Sequence, residues 1–129
     1  MAITPNRDQF IAYAGNDRPG EVVMVNLLKF KARAEGEEGS GAEAYGRYGD
    51  AVVEQVEARG GRVVWMGRVE NVLIGDTDKD AWDTVVLVAY PSREAFIDMV
   101  SAPEYEDAHT HREAGLDRTV LLGCEAVTP

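Results

Sequence analysis

Short apolar runs at strand spacing alternate along this chain with longer stretches at helix spacing. From Glu21 to Lys31, EVVMVNLLKFK, one set of alternate positions holds Val22, Met24, Asn26, Leu28 and Phe30. The other set holds Val23, Val25, Leu27 and Lys29. Successive side chains of a strand point to opposite faces. Both faces are apolar over most of their length, so this strand is expected to be covered on both sides. Asp83–Tyr90, DTVVLVAY, is almost wholly apolar and reads as a second central strand, ended by Pro91. Arg62–Ile74, RVVWMGRVENVLI, reads as a long strand with a bulge at Gly67. Arg118–Val127, RTVLLGCEAV, reads as the last strand.

Helical spacing fills the gaps. Thr4 followed by Pro5 predicts the start of a short helix with Phe10, Ile11, Tyr13 and Ala14 as its stripe and Gly15 as its stop. Ser40 and Glu43 form a capping-box pattern ahead of Tyr45, Gly49, Val52, Val53 and Val56, and Gly60-Gly61 closes that helix. Ser92 caps SREAFIDMV, and Pro103 restarts the helix as PEYEDAHTHREAG up to Gly115. The glycine-rich stretch Ala32–Gly41 predicts an exposed, mobile loop, either a solvated connection or a lid over a pocket.

The order strand, helix, strand, strand, helix, strand, after an extra N-terminal helix, is the split βαβ arrangement. The predicted fold is therefore α+β and ferredoxin-like, an antiparallel four-stranded sheet with helices on one face. Residues 1–129 are expected to form a single domain, with 1–20 as a helical extension and 21–127 as the core. The second sheet face is too apolar to stay in water. A homodimer packing two such faces together, a dimeric α/β barrel, is expected to bury it.

Composition narrows the partners. The formal net charge of −10 argues against a nucleic-acid surface, which needs clustered Lys and Arg. No apolar run approaches a membrane span, and MAITPNRDQF has no apolar signal region. The one cysteine, Cys124, excludes an internal disulfide and suits a reducing cytoplasm. It sits with Val120 and Leu122 and reads as core.

The candidate chemistry is a mixed pocket of Asn26, Tyr45, Trp65, Tyr90, His111 and Arg112, polar or amphipathic groups in otherwise apolar elements. Buried polar groups need partners, and a small-molecule ligand is one kind. His111 offers a catalytic base near neutral pH, and Arg112 a holder for a carboxylate or enolate. Each also has a structural reading: Tyr90 in the core, Arg112 paired with Glu104 or Asp107, Asn26 satisfied by nearby backbone. His109 and His111 are two apart and face different directions on a helix, so no metal site is expected. Phosphate-loop, dinucleotide and nucleophile-elbow motifs are absent from the sequence.

The segments VVMVNLLKF, SGAEAYGRYG, GGRVVWMG, WDTVVLVAYPSREAF and PEYEDAHTHREAGL resemble the family called domain of unknown function 1330, within the dimeric α/β-barrel superfamily. The resemblance runs from Glu21 to about Ala126, and YPSREAF with SAPEY is its most specific part. It implies a fold and a homodimer. Short family members begin at the first strand, so the N-terminal helix and the Ala32–Gly41 loop are additions here. The superfamily includes cofactor-free monooxygenases, lactone isomerases and haem-degrading enzymes. The haem-degrading members resemble this chain in an Asn on the first strand, a Trp on a sheet strand and a His on the later helix, here Asn26, Trp65 and His109 or His111. Fold alone does not carry a reaction. The expectation is a cofactor-independent oxygenase or isomerase acting on a small aromatic or enolisable molecule, or a non-catalytic dimer that binds a small molecule or serves assembly.

Overall fold

The computed structural model describes residues 3–127. Four strands, β1 (Val22–Phe30), β2 (Arg62–Arg68), β3 (Thr84–Tyr90) and β4 (Leu116–Cys124), form one antiparallel sheet in the order β2-β3-β1-β4. The doubly apolar β1 and β3 are central, as their sequences require. The helices are α1 (Arg7–Ala14), α2 (Gly41–Ala58), α3 (Arg93–Ser101) and α4 (Pro103–Gly115). Helices α2, α3 and α4 pack on the face of the sheet that carries Val22, Met24, Leu28 and Tyr90. The ferredoxin-like α+β fold with an additional N-terminal helix is the predicted one.

The caps explain where most helices start. Ser40 Oγ accepts from Glu43 N at 3.1 Å and Glu43 Oε1 accepts from Ser40 N at 2.9 Å, a closed capping box. Ser92 Oγ accepts from Ala95 N at 3.1 Å. The first helix starts later than Thr4-Pro5 predicts. Asn6 is its cap, bonded reciprocally with Gln9. Its stripe buries no residue fully, because eight residues give barely two turns of apolar face.

Two strands differ from expectation. The second ends at Arg68 rather than Ile74, because β3 begins at Thr84 and offers no ladder partner beyond Val69, whose N–H donates to Asp83 O at 3.0 Å. Leu73 and Ile74 stand 92% and 94% exposed. The bulge lies between Val63 and Trp65, not at Gly67. The last strand begins at Leu116, directly after α4, and ends at Cys124.

The loop after β1 is tied down where a free connection was expected. Glu37 accepts from Arg47 Nε at 2.9 Å and pairs with His111 Nδ1 at 2.7 Å. Glu35 N donates to Ala114 O at 3.0 Å. Among the described residues no helix is long and apolar enough to cross a membrane.

Candidate functional site

A cavity of about 830 Å³ lies between the helix-bearing face of the sheet and the helices above it. The floor includes Met24 and Asn26 of β1, Val86, Val88 and Tyr90 of β3, and Met66 of β2. Tyr45, Tyr48 and Val52 of α2 and Tyr105, His109 and Arg112 of α4 form the opposite wall. Residues 4–7 with Phe10 and Ile11 run along it as a strap. The volume suits a drug-sized apolar molecule, and the lining is mostly hydrophobic with a few polar groups, the usual makeup of a ligand site.

Four of the six residues predicted for the pocket meet here: Asn26, Tyr45, Tyr90 and Arg112. Trp65 does not. The bulge after Val63 sets Val63 opposite Val88 and Trp65 opposite Leu87, so the indole lies on the sheet's other face, 55% exposed. A Cβ on Gly67 would run into that indole, so the ring lies over Gly67. His111 also points elsewhere, onto Glu37 of the loop. The cavity's imidazole is His109, two residues earlier, which shares the α4 stripe of Tyr105 and Arg112 at helical spacing.

Aromatic rings run from the end of β1 along the helix side. Phe30 and Tyr45 have centroids 5.5 Å apart, Tyr45 and Tyr48 5.2 Å, and Tyr48 and Tyr105 6.0 Å. The Tyr48 and Tyr105 hydroxyls satisfy each other at 2.9 Å. His109 stacks on Tyr105 at 5.6 Å. Burial pushes the Tyr45 hydroxyl up to about 12, with the Arg112 charge opposing, so it is neutral near pH 7. Burial pushes Tyr48 and Tyr90 well up too.

Asn26 is bonded as the structural reading expects. Its Nδ2 donates to Val86 O at 3.2 Å and lies 3.5 Å from Met24 O, so the amide hydrogens serve the sheet. That leaves Oδ1, which accepts no hydrogen bond among the described residues. Tyr90 Oη contacts Met99 Sδ at 3.9 Å, as a core tyrosine does.

His109 is held neutral. Burial lowers its pKa from the ordinary value, the Arg112 charge adds to that, and Glu113 and Glu106 oppose. Its Nε2 stands 3.7 Å from Glu113 Oε1, and Nδ1 is enclosed with no hydrogen-bond partner among the described residues. Among those residues no group of three or more His, Cys, Asp or Glu side chains is placed to hold a metal ion.

A ferredoxin-like sheet with a walled cavity under its helices defines a class of small α+β proteins. Within that class the chain belongs to the family described as domain of unknown function (DUF1330), whose profile matches residues 38–123. The match starts inside the loop after β1, so the strap and β1 lie outside it, a shorter span than the sequence resemblance implied. A protein of unknown function from Rhodopseudomonas palustris is 38% identical, covering 98% of this chain and 98% of its own, with a TM-score of 0.92. Its coverage therefore takes in most of the N-terminal segment as well. A dimeric protein of unknown function and ferredoxin-like fold from Bacteroides fragilis is 14% identical over 82% of this chain and 96% of its own, with a TM-score of 0.52. A cofactor-independent oxygenase from Streptomyces nogalater is 18% identical over 85% of this chain and 98% of its own, with a TM-score of 0.50. These last two share the fold. No curated protein matches the chain.

Proposed function

We propose that the protein is a single-domain cytoplasmic homodimer that binds a small apolar, enolisable molecule in the sheet–helix cavity and moves a proton on it without a cofactor. The observation that carries the chemistry is His109: an imidazole on the lining of an apolar cavity, stacked on Tyr105 and biased to its neutral form by burial. A neutral imidazole is a competent base near pH 7. The C–H bond beside a ligand carbonyl breaks, its proton passes to the ring, and its electron pair becomes an enolate. Return of the proton at another carbon completes an isomerisation, with no co-reactant. The cofactor-independent oxygenase with the same fold supports cofactor-free chemistry in such a scaffold.

The homodimer rests on the uncovered sheet face. Val25, Leu27, Val85, Leu87, Val120 and Leu122 line it, and none is fully buried in the protomer. A face this apolar is stable in water when a second copy covers it. The Bacteroides fragilis protein, described as dimeric, supports a dimer on this fold.

The test is proton exchange in deuterium oxide, followed by NMR on acetonaphthone, an enolisable naphthyl ketone. Wild type is expected to speed exchange by about a hundredfold, the scale of general base catalysis. His109→Gln is expected to bind the ketone and lose the acceleration. Bound ketone that exchanges no faster than in buffer would overturn the proton-transfer reading. The non-catalytic binding reading would then stand, and two observations favour it: Asn26 donates only to backbone, and the Tyr48 and Tyr105 hydroxyls are spent on each other.

A further inference from the structure

We infer that the cavity's ligand is an anion, an apolar molecule bearing one carboxylate, and that Arg112 holds the charge. The inference rests on the cavity being a ligand site. It is independent of whether His109 moves a proton there.

Arg112 has more donors than the described residues have partners for them. Arg112 is 7% exposed and borders the cavity. A guanidinium carries five N–H donors and a permanent charge. One nitrogen, Nη1, donates to the carbonyl of Ile3 on the strap, and that is the only side-chain hydrogen bond Arg112 makes among the described residues. No described carboxylate pairs with it: the ion pairs among the described residues involve other side chains. Pairing with Glu104 or Asp107, the structural alternative read from the sequence, does not form. A buried charge left without a counter-ion is costly, and such groups are normally paired.

The other buried arginine shows what a structural one does here. Arg93 Nη1 donates to Asn16 O at 2.7 Å and to Arg18 O at 2.9 Å, and its guanidinium lies 5.1 Å from the Tyr13 ring centroid. It clamps the turn ahead of β1. Arg112 lies in the last turn of α4, where the helix dipole favours a cation, but the dipole fills none of its donors.

The surroundings fit a carboxylate with an apolar body. The Tyr45 hydroxyl lines the same cavity, stays neutral, and makes no hydrogen bond among the described residues, so it is a second donor for an anion. The neighbouring walls are Tyr48, Val52, Met24 and Val86. The acidic residues of the lining, Asp50 and Glu106, are exposed, so neither neutralises the buried guanidinium. A carboxylate takes two parallel N–H bonds from one guanidinium, which favours it over a neutral carbonyl.

The test compares naphthoate with naphthamide, the same ring system with and without charge, by calorimetry at neutral pH. Wild type is expected to bind naphthoate at least about tenfold tighter, the scale of a charge-assisted hydrogen bond. Arg112→Gln is expected to erase that preference while still binding naphthamide, and Arg112→Lys to keep part of it. The wild-type comparison stands even if the glutamine variant fails to fold. Equal binding of the two by wild type would overturn the anion assignment and leave the cavity reading intact. Binding of neither would overturn both.

Discussion

Gly41 and Gly115 meet backbone to backbone, where the first turn of α2 crosses the last residue of α4. A Cβ on Gly41 would overlap the Lys31 and Gly115 carbonyl oxygens, and one on Gly115 would overlap Gly41 O. The neighbours are backbone atoms, so nothing can swing aside. Lys31 N donates to Gly115 O at 2.8 Å and Gly41 N to Lys31 O at 3.0 Å, so this crossing also pins the end of β1. Alanine at either position is expected to cost about 2 kcal/mol or more, the overpacking range. Urea unfolding of Gly41→Ala and Gly115→Ala checks it, and wild-type midpoints would contradict the crossing.

The uncovered sheet face has its own assay. Val25 sits mid-strand on that face, opposite Leu87 and Leu122. Light scattering of wild type is expected to give twice the 14.1 kDa chain mass. Val25→Asp strands a charge in the interface, at about 3 kcal/mol or more, and is expected to scatter at the single-chain mass. A wild-type protein of one chain mass at micromolar concentration would refute the homodimer.

His109 gives a pH dependence with a definite sign. Its folded pKa lies below the ordinary 6.5, from burial first and Arg112 second. Between those two values the unfolded chain binds more protons than the folded one, so stability falls as pH drops below 6.5 and levels off beneath the folded pKa. The carboxylates with lowered values, Glu35, Glu37, Glu43 and Asp76, lose their contribution at more acidic pH, below their ordinary values of 4.5 for the glutamates and 3.8 for the aspartate. His109→Gln is expected to flatten the slope just below pH 6.5 alone. An unchanged slope in that window would show that His109 is not the group responsible.

Asn26→Leu separates the two services of that side chain. Its Nδ2 bond to Val86 O is lost, which is expected to cost about 1 kcal/mol. The cavity gains an apolar wall, so naphthamide is expected to bind without loss. Thermal melting with and without naphthamide measures both. A variant that melts like wild type but no longer binds would make Asn26 a ligand-holding residue instead.

Strand order, sheet placement and most helix starts were legible because they depend on local signals: alternation in β1 and β3, and side-chain caps at Ser40 and Ser92. Trp65 was not legible. In Val63-Val64-Trp65 every position is apolar, so nothing in the spacing says which residue the bulge takes out of register. The histidines carried a readable signal. His111 and Arg112 are neighbours, about 100° apart around a helix, whereas Tyr105, His109 and Arg112 lie on one stripe. The Glu37 bond that draws His111 away joins residues far apart in sequence and leaves no local trace.

The strap over the cavity has a consequence for how binding preferences diversify. Its residues line the site, yet α1 buries none of its own side chains fully and lies outside the segment that defines the family. The α2 and α4 walls and the rim are thus written in separate stretches of sequence under separate constraints. Substitutions at Phe10 or Ile11 can reshape what enters, and how fast it leaves, while the fold keeps its stability. Selectivity in this scaffold is adjustable from its N-terminal end, like a fitting exchanged on an unchanged vessel.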